Sequence, residues 1–526
     1  MMNRRDFFTK SAVSAIALSS FCENNVFAED NRYDILIKNG TVIDGSGIDP
    51  FISDIAIKDD RISEIAHNLP VSSAKKVIEA KGLTVCPGFI DIHTHSSGGA
   101  LSHNYICQGV TTEIGGNCGK TSVPSNSLTL DEQLSSFEKK ANLTNFGTLV
   151  GHAALRNMVM GLADRAPTSE ELGKMKAALS QSLEQGAYGL SSGLEYAPGI
   201  FSDIDEMIAL CEVVKQHDGI YASHMRDQKL GVLNSVKETI EVAKKSGVRI
   251  EISHLKMKGS SSWHLLDDVL STIKAERESG VDVLCDVYPY AAMMTFLSIM
   301  FPGWARAGDS SLLGKNSNLI RRLKDSSLDA KLRKDTEALI DDMNGPQNII
   351  VNSVSIADRA KKQNKEPYDV MKQLIIQSNG GIGMIGFAMS EENVKKTLEF
   401  PLTTIASDGW GQGSVGSAST HPRSYGTFPR VLGHYVRNEG ILSLKESVRK
   451  MTSMPAEHFR IKDRGVLSRG KYADITIIDS EKIIDTADFG TANKQPEGVC
   501  HVIVNGKLAL ENGAMTGAAA GKILRR

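Results

Sequence analysis

Short stretches of alternating apolar and polar residues lie near both ends of the chain. Near the start they cover residues 34–38, 54–58 and 61–65, and near the end 473–479 and 501–506. A period of two gives a strand one buried and one solvent-facing side, and the Asn and Gly residues between stretches favour turns. We therefore predict one small β-sandwich domain built from residues 29–86 and 461–526.

Between these ends, over residues 87–460, apolar strand-like runs alternate with helix-period stretches. After a first run before residue 92, strand candidates cover residues 109–113, 147–152, 187–195, 219–224, 248–254, 281–288 and 403–408, and helical stretches include 169–185 and 203–216. Eight strands alternating with helices predict an α/β fold with a (β/α)8 TIM-type barrel. The interval before the last strand exceeds one βα unit, which predicts an insertion around 296–350. Active sites of such barrels lie at the carboxyl ends of the strands.

The first 28 residues differ from the rest. Arg4 and Arg5 precede a mildly apolar stretch, 11–21, that is too short to cross a bilayer, and Ala28 ends an acceptable cleavage site. We interpret residues 1–28 as a twin-arginine-type signal peptide, with an amphipathic N-terminal helix as the alternative. The mature protein is then expected to be exported, periplasmic or secreted, without a stable membrane anchor.

The composition and the net charge bear on the kind of molecule that the protein binds. The 526 residues are 41% hydrophobic, which is ordinary for a globular protein, and the net charge of −2 gives no indication of nucleic acid as a partner. The seven cysteines are scattered without short paired spacings, so they do not indicate a disulfide framework. The oligomeric state is not readable from the sequence.

Candidate chemistry begins with His93 and His95 in Gly88-Phe-Ile-Asp-Ile-His-Thr-His95. Residues i and i+2 of a strand point to the same side, so both rings would project together from the strand end. Paired neutral imidazoles suit a divalent metal such as zinc. Two later strands both end in Ser-His, at His224 and His254, one βα unit apart. We predict that all four histidines meet at the barrel mouth as metal ligands.

Two further residues fall at predicted strand ends. Asp408 follows the last strand, where a carboxylate beside a metal can take a proton from an attacking water and deliver it to a leaving nitrogen. Cys118 lies in Gly115-Gly-Asn-Cys-Gly119 after the second strand. A thiolate is a strong zinc ligand, but from these residues alone a buried structural cysteine is equally compatible.

An ordered set of motifs resembles the amidohydrolase superfamily, and within it the D-aminoacylases, which are N-acyl-D-amino-acid deacylases. The resemblance runs over nearly all of the mature chain. Besides the His-x-His segment it includes Gly109-Val-Thr-Thr112, Gly116-Asn-Cys-Gly119, Ser191-Ser-Gly-Leu-Glu-Tyr196, Ser223-His-Met-Arg-Asp227, Ser253-His-Leu-Lys256, Asp286-Val-Tyr-Pro-Tyr290, Ser407-Asp-Gly409, the segment His421 to Arg430, and Met451-Thr-Ser-Met-Pro455.

The resemblance implies roles for these residues. Cys118, His224 and His254 are expected to hold one tightly bound Zn²⁺, His93 and His95 a second, weaker metal position, and Asp408 to be the catalytic acid and base. Many amidohydrolases use a carboxylated lysine from a central strand. The corresponding stretch here, residues 187–195, contains no lysine, and Cys118 is expected to replace it.

The resemblance also implies hydrolysis of N-acyl-D-amino acids to a carboxylate and a free D-amino acid. For the substrate carboxylate it points to Lys256 and Tyr288. Arg226 and Arg423 are further candidates, because guanidinium groups bind carboxylates in a bidentate manner, although either could instead form a structural salt bridge. The D configuration comes from the resemblance alone.

Three alternatives remain from the sequence. A cyclic amidase of the hydantoinase or dihydroorotase type shares the barrel and the histidines, although the missing lysine and the Gly-Asn-Cys-Gly segment disfavour it. A dipeptidase acting on peptides with a D-residue is closer. A catalytically silent metal-binding relative is disfavoured because Asp408, Cys118 and all four histidines are present.

Overall fold

The structure is a computed structural model that describes residues 32–309, 316–412 and 421–526. The predicted signal peptide, residues 1–28, lies outside the described residues. Within the described ranges, none of the helices combines the length and the apolar character needed to span a bilayer.

Five strands open the described chain, where alternating Ile and Val residues favour extended backbone. They are β1 (Tyr33–Val42), β2 (Phe51–Lys58), β3 (Arg61–Ala66), β4 (Ala74–Glu79) and β5 (Thr84–Pro87). β1 pairs antiparallel with β2, which pairs antiparallel with β3, whereas β4 and β5 lie parallel to β1.

Parallel strands then alternate with helices, which confirms the predicted α/β class. The elements are β6 (Phe89–Asp91), α1 (His103–Cys107), β7 (Val110–Gly115), α2 (Leu130–Glu138), β8 (Asn145–Thr148), β9 (Val150–Gly151), α3 (His152–Val159), α4 (Ser169–Glu184), β10 (Gly189–Gly193), α5 (Ile204–Gln216), β11 (Ile220–His224), α6 (Val232–Ser246), β12 (Arg249–Ile252), α7 (Leu266–Glu278) and β13 (Val283–Val287). Local chemistry sets the helix ends: Thr168 and Glu171 form a capping box at the start of α4, and Gly247 ends α6 in the left-handed conformation.

The long interval before the last parallel strand forms a separate layer. Its elements are β14 (Met293–Phe296), α8 (Gly303–Arg306), α9 (Ser317–Lys324), α10 (Asp329–Asp342), β15 (Ile349–Val351), β16 (Val354–Ser355), α11 (Ile356–Gln363), α12 (Pro367–Gln377) and β17 (Gly383–Gly386). The strands make an antiparallel sheet in the order β14-β17-β15-β16. This layer is longer than the predicted 296–350 interval, because β17 must return to pair with β14.

The chain then returns to the parallel strands with α13 (Glu391–Glu399), β18 (Thr403–Ile405), α14 (Arg423–Arg430), a π-helix over Val431–Asn438, α15 (Leu444–Met451) and α16 (Ser453–Phe459). One parallel sheet has the order β18-β13-β12-β11-β10-β9 and another the order β6-β7-β8. A single residue separates β8 from β9. At the other end, the Asp408 amide donates to the His93 carbonyl at 2.9 Å and the His95 amide to the Gly409 carbonyl at 2.7 Å.

The last strands are β19 (Ile475–Ile478), β20 (Val499–Val504), β21 (Lys507–Glu511) and β22 (Ala514–Met515). They join the first five in a nine-stranded sheet with the order β22-β21-β20-β19-β5-β1-β2-β3, and β4 pairs with β1. The antiparallel pair β5–β19 joins the strands of the two chain ends within this sheet. Both ends of the chain therefore contribute to one sheet.

The largest apolar core lies between the parallel strands and the helices that follow them. Leu179, Leu210, Val236 and Ile273, from α4 to α7, are buried in it together with strand residues such as Ile250. Full burial of such a side chain stabilises the fold by roughly 1.5–3 kcal/mol. This packing fixes the strand ends on which the polar residues lie.

Candidate metal centre and active site

The carboxyl ends of five parallel strands carry the five residues that the sequence predicted as metal ligands and the aspartate that it predicted as catalytic. His93 and His95 follow β6, Cys118 follows β7, and His224 ends β11. The remaining two, His254 and Asp408, lie just beyond β12 and β18. All six line the same cavity except His93, which is fully buried behind it.

These side chains form two overlapping groups that share the Cys118 thiol, and we call the six residues together, as candidate metal ligands, the metal cluster. One group contains Cys118, His224 and His254, the other His93, His95, Cys118 and Asp408. Within each group the candidate ligand atoms lie within 4.8 Å of one another. A thiolate, imidazoles and a carboxylate are the donors that zinc prefers, so the residues fit the metal that the sequence predicted.

Three residues of these groups have left-handed backbone conformations. The φ angles are +55° at Cys118, +39° at His254 and +50° at Asp408. Residues other than glycine adopt such angles at a cost of order 1 kcal/mol or more, and they concentrate at functional sites. Regular strand geometry has ended at each position, and the turn aims the side chain into the cavity.

Charge in the cluster favours an ionised thiol. Burial by itself would raise the pKa of Cys118, but the His93 and His254 rings and hydrogen bonds from His224 and His254 outweigh burial, so this pKa lies well below its ordinary value. Likewise, burial opposes ionisation of Asp408, yet Arg423 and His93 hold the pKa of its carboxyl well below the usual range. Both groups are therefore in the form that binds metal or accepts a proton.

Asp408 is held on two sides. Its Oδ1 lies 2.9 Å from His95 Nε2 and 3.5 Å from His93 Nε2, while its Oδ2 accepts from Arg423 Nη1 at 2.7 Å. The His95 ring stacks on Trp410, with ring centroids 4.9 Å apart. The carboxylate thus points into the metal cluster with little freedom to rotate.

Three of the four predicted substrate-binding residues lie together on the cavity wall. Lys256 Nζ lies 5.6 Å and the Arg423 guanidinium 4.9 Å from the centre of the Tyr288 ring. Burial lowers the pKa of Lys256 to about 8, because the low-dielectric site disfavours the ammonium form. Two cations and a phenol are therefore grouped next to Asp408.

Arg226 is placed elsewhere. It forms an ion pair with Glu238 at 2.9 Å and donates to the carbonyl oxygens of Ile200 and Ser202. It is absent from the residues that line the cavity in the described part of the chain. The backbone turns after His224, so sequence proximity to a candidate ligand does not bring Arg226 into the site, and its contacts are those of a structural salt bridge.

The structure also shows carboxylates that contact the histidine rings on the side away from the other candidate ligands. Asp286 Oδ2 lies 2.9 Å from His93 Nδ1, and Glu195 Oε2 lies 3.1 Å from His224 Nε2. Asp286 Oδ1 also accepts from the backbone amide of His254 at 2.9 Å. Both carboxylates lie in sequence motifs named above. Their hydrogen bonds to the histidine rings, however, become visible only in the folded structure.

Gln228 occupies the same kind of position behind His254. Its Nε2 lies 3.3 Å from His254 Nδ1, and its Oε1 has no hydrogen-bond partner among the described residues. A half-turn of the amide would present Oε1 to Nδ1 as an acceptor. His254 would then keep its Nε2 lone pair for the metal cluster.

The cavity has a volume of about 540 Å³ and a large apolar wall. The layer inserted before the last parallel strand supplies Met293, Met294, Phe296 and Ile299 to this wall. Leu297, their neighbour in sequence, is instead fully buried in the core of that layer. The cavity therefore has a polar side at the metal cluster and an apolar side at the inserted layer.

Comparison with known proteins agrees with this arrangement. The amidohydrolase family model matches residues 76–298 and 381–509, and the gap falls in the inserted layer. The D-aminoacylase of Alcaligenes xylosoxydans xylosoxydans is 32% identical over 95% of this chain and 99% of its own length. The N-acyl-D-glutamate deacylase of the same organism is 30% identical over 94% of this chain and 97% of its own length.

A solved structure is similar in three dimensions. The crystal structure of the N-acyl-D-glutamate deacylase of Bordetella bronchiseptica, complexed with zinc and a phosphonate mimic of the tetrahedral intermediate, has a TM-score of 0.79 and 27% identity. The match covers 94% of this chain and all of that one. The resemblance inferred from the motifs is confirmed: this chain belongs to the amidohydrolase family, within the group of the D-aminoacylases.

Proposed function

We propose that this protein hydrolyses the amide bond of N-acyl-D-amino acids and releases a carboxylate and a free D-amino acid. The observation that carries the proposal is Asp408, an ionised carboxylate fixed between Arg423 and His95 at the edge of a thiolate–histidine cluster. The names of the relatives, D-aminoacylase and N-acyl-D-glutamate deacylase, support the same reaction and the D configuration.

We propose zinc as the metal. Cys118, His224 and His254 would hold the tight ion, while His93 and His95, with Cys118 and Asp408 at the boundary, would offer a second and weaker position. A bound Zn²⁺ supplies Lewis-acid polarisation of the amide carbonyl and lowers the pKa of a coordinated water. Support comes from the donor set and from the zinc in the Bordetella bronchiseptica structure.

The residues of the chain carry the proton transfers. Asp408 would accept a proton from the attacking water at its Oδ1, the oxygen that faces His95 and His93. The same carboxyl would then deliver the proton to the nitrogen of the leaving amino acid. Because Arg423 binds the other oxygen, Asp408 keeps one face toward the substrate during both steps.

Lys256 and Tyr288 would bind the α-carboxylate of the substrate. Lys256 is a cation next to Asp408, and its carboxylate partner would come from the substrate. Arg423 already donates to Asp408, so its main task is to hold the catalytic carboxylate.

We propose that the variable part of the substrate is apolar rather than acidic. Of the cavity cations, Lys258 is paired with Glu195 and Arg423 with Asp408, and Lys256 is assigned to the α-carboxylate. Lys120, the fourth, lies exposed at the rim. The apolar wall formed by the inserted layer would instead accept a hydrophobic side chain or acyl group, and methionines adapt to several shapes.

The remaining predictions about architecture and export also belong to this proposal. Two observations support a closed barrel of eight parallel strands. Hydrogen bonds join the ends of β6 and β18, and β8 and β9, separated by one residue, count as a single strand that joins the two parallel sheets. The nine-stranded sheet would be the β-sandwich domain. Arg4 and Arg5 in the sequence support export by a twin-arginine-type signal over residues 1–28.

The experiment compares N-acetyl-D-methionine, N-acetyl-L-methionine and N-acetyl-D-glutamate as substrates of the zinc-loaded protein. We expect turnover of the D-methionine derivative, none of the L form, and poor turnover of the D-glutamate derivative. Asp408→Asn should abolish turnover. The matched control is Asp463→Asn, which removes an aspartate paired with Lys471 in the nine-stranded region and should leave turnover unchanged.

No hydrolysis of any N-acyl-D-amino acid by zinc-loaded protein would contradict the proposal. Cyclic amides and dipeptides with a D-residue would then be the substrates to test. Equal turnover of the D and L forms would contradict the stereochemical part alone.

A further inference from the structure

The His224 ring faces the metal cluster with the nitrogen closer to its own backbone. Its Nδ1 lies 2.8 Å from His254 Nε2, inside the group that shares Cys118. The opposite nitrogen, Nε2, lies 3.1 Å from Glu195 Oε2. His93 and His254 have the opposite ring orientation, because in each of them it is Nε2 that faces the Cys118 thiol.

The partner of Nε2 decides which nitrogen of His224 carries the proton. A neutral imidazole has one N–H and one lone pair, and an ionised carboxylate can only accept a hydrogen bond. Nε2 must therefore carry the proton that Glu195 accepts. The lone pair is left on Nδ1, the atom that faces Cys118 and His254.

Glu195 is itself held in place. Its second oxygen, Oε1, forms an ion pair with the ammonium group of Lys258. Lys258 is 2% exposed, and Glu195 is its ion-pair partner. A buried ammonium needs such a partner because an unpaired buried charge is strongly unfavourable, so the pair holds the carboxylate at a fixed position behind the ring.

We propose that Glu195, anchored by Lys258, is a positioning residue that fixes His224 in the Nδ1-ligating tautomer and thereby sets the affinity of the metal position shared with Cys118 and His254. This inference rests on the proposed metal site, not on the proposed substrate. Outer partners of metal-binding histidines orient the ring and raise its basicity, and their loss weakens metal binding by about 10- to 100-fold.

The test measures zinc affinity of the purified mature protein by competition with a chelator. Glu195→Gln keeps the shape of the side chain but removes its charge, and we expect zinc to bind about 10- to 100-fold more weakly. The control is Glu238→Gln, which removes a carboxylate of similar exposure that pairs with Arg226 outside the cavity, and it should leave zinc affinity unchanged. Unaltered affinity in Glu195→Gln would overturn the proposal.

Lys258→Met tests the anchor. If Lys258 acts through Glu195, the double variant Glu195→Gln/Lys258→Met binds zinc no more weakly than Glu195→Gln alone. Losses that add independently would contradict the anchoring role. The visible absorption spectrum of the Co²⁺-substituted protein supplies a second readout, since it should shift in Glu195→Gln and stay unchanged in Glu238→Gln.

A crystal structure of the zinc-loaded wild-type protein decides the tautomer even if a variant fails to fold. We expect His224 Nδ1 at a bonding distance of about 2.0–2.1 Å from the metal and Nε2 hydrogen-bonded to Glu195. Binding of the metal through His224 Nε2 would contradict the inference. Zinc binding without hydrolysis of N-acyl-D-amino acids would contradict the proposed function and leave this inference intact.

Discussion

Arg423 and Asp408 form an ion pair of 2.7 Å in which the two side chains are only 1% and 8% exposed. The sequence suggested Arg423 as a group for the substrate carboxylate, and the structure shows it in contact with the catalytic candidate. A buried pair of this kind fixes geometry because both charges depend on the contact.

Arg423→Lys should therefore affect the chemical step more than substrate binding. A lysine cannot reproduce the position of the guanidinium, and a displacement of the base by about 1 Å costs on the order of 100-fold in rate. We expect kcat for N-acetyl-D-methionine to fall by about this factor with a small change in KM. Steady-state kinetics check the split, and a large rise in KM at unchanged kcat would assign Arg423 to the substrate carboxylate.

Asp286 contacts both parts of the metal cluster, because one oxygen meets the His93 ring and the other accepts from the His254 amide. In Asp286→Asn the amide can present its nitrogen to His93 Nδ1, which disfavours the tautomer with a free Nε2. We expect the weaker metal position to lose about 10- to 100-fold in affinity. Isothermal titration calorimetry with zinc measures both affinities. Unchanged affinity at the weaker position would contradict the prediction.

The fully buried Glu206 lies away from the metal cluster, and its contacts stabilise the fold. It binds the Arg156 guanidinium and accepts from His152 Nε2 at 2.7 Å. Glu206→Gln leaves the Arg156 charge buried without its counter-ion, so we expect the free energy of unfolding to fall by about 3–5 kcal/mol. Denaturant unfolding measures the loss; Glu276→Gln, which removes the exposed pair with Lys244, should cost below about 1 kcal/mol.

Glu113 should make stability depend on pH. Burial raises the pKa of its carboxyl from 4.5 to about 6, against hydrogen bonds from Ser102, Ser96 and Thr144. The folded state therefore holds this proton more tightly than the unfolded state. Its stabilising contribution is complete below about pH 4.5 and is lost as pH rises through about 6, a change of roughly 2 kcal/mol.

Glu113→Gln removes this titration, while the neighbouring hydroxyls can turn to accept from the new amide. Between pH 4.5 and pH 6.5 the wild type should lose about 1.5 kcal/mol more of its unfolding free energy than Glu113→Gln does. Equal pH slopes in the two proteins would show that Glu113 does not retain its proton on folding.

Sequence patterns predicted what depends on local spacing. His93 and His95 could be paired because a strand repeats every two residues, and His224 and His254 because two successive strands end alike. Alternation at both chain ends predicted that these segments would be β-rich. Such features need only the periodicity of one element and the rule that strand ends in an α/β fold carry the site.

Contacts between distant segments were not predictable in the same way. Asp286 approaches His93 across 193 positions of sequence, and nothing local to either residue encodes that approach. Arg226 shows the converse, since it is two residues from His224 and yet points toward Glu238. Burial and pairing of charges decide these positions, and both depend on the assembled fold.

The pairing of β5 with β19 has a consequence for biosynthesis. The strands from β6 to β18, including the inserted layer, are translated between these two partners, so the hydrogen-bonding edge of β5 stays open until the ribosome has nearly finished the chain. An open strand edge is a template for association with other chains. A nascent or C-terminally truncated protein would therefore depend on chaperones to shield that edge, even where its candidate metal ligands are already in place.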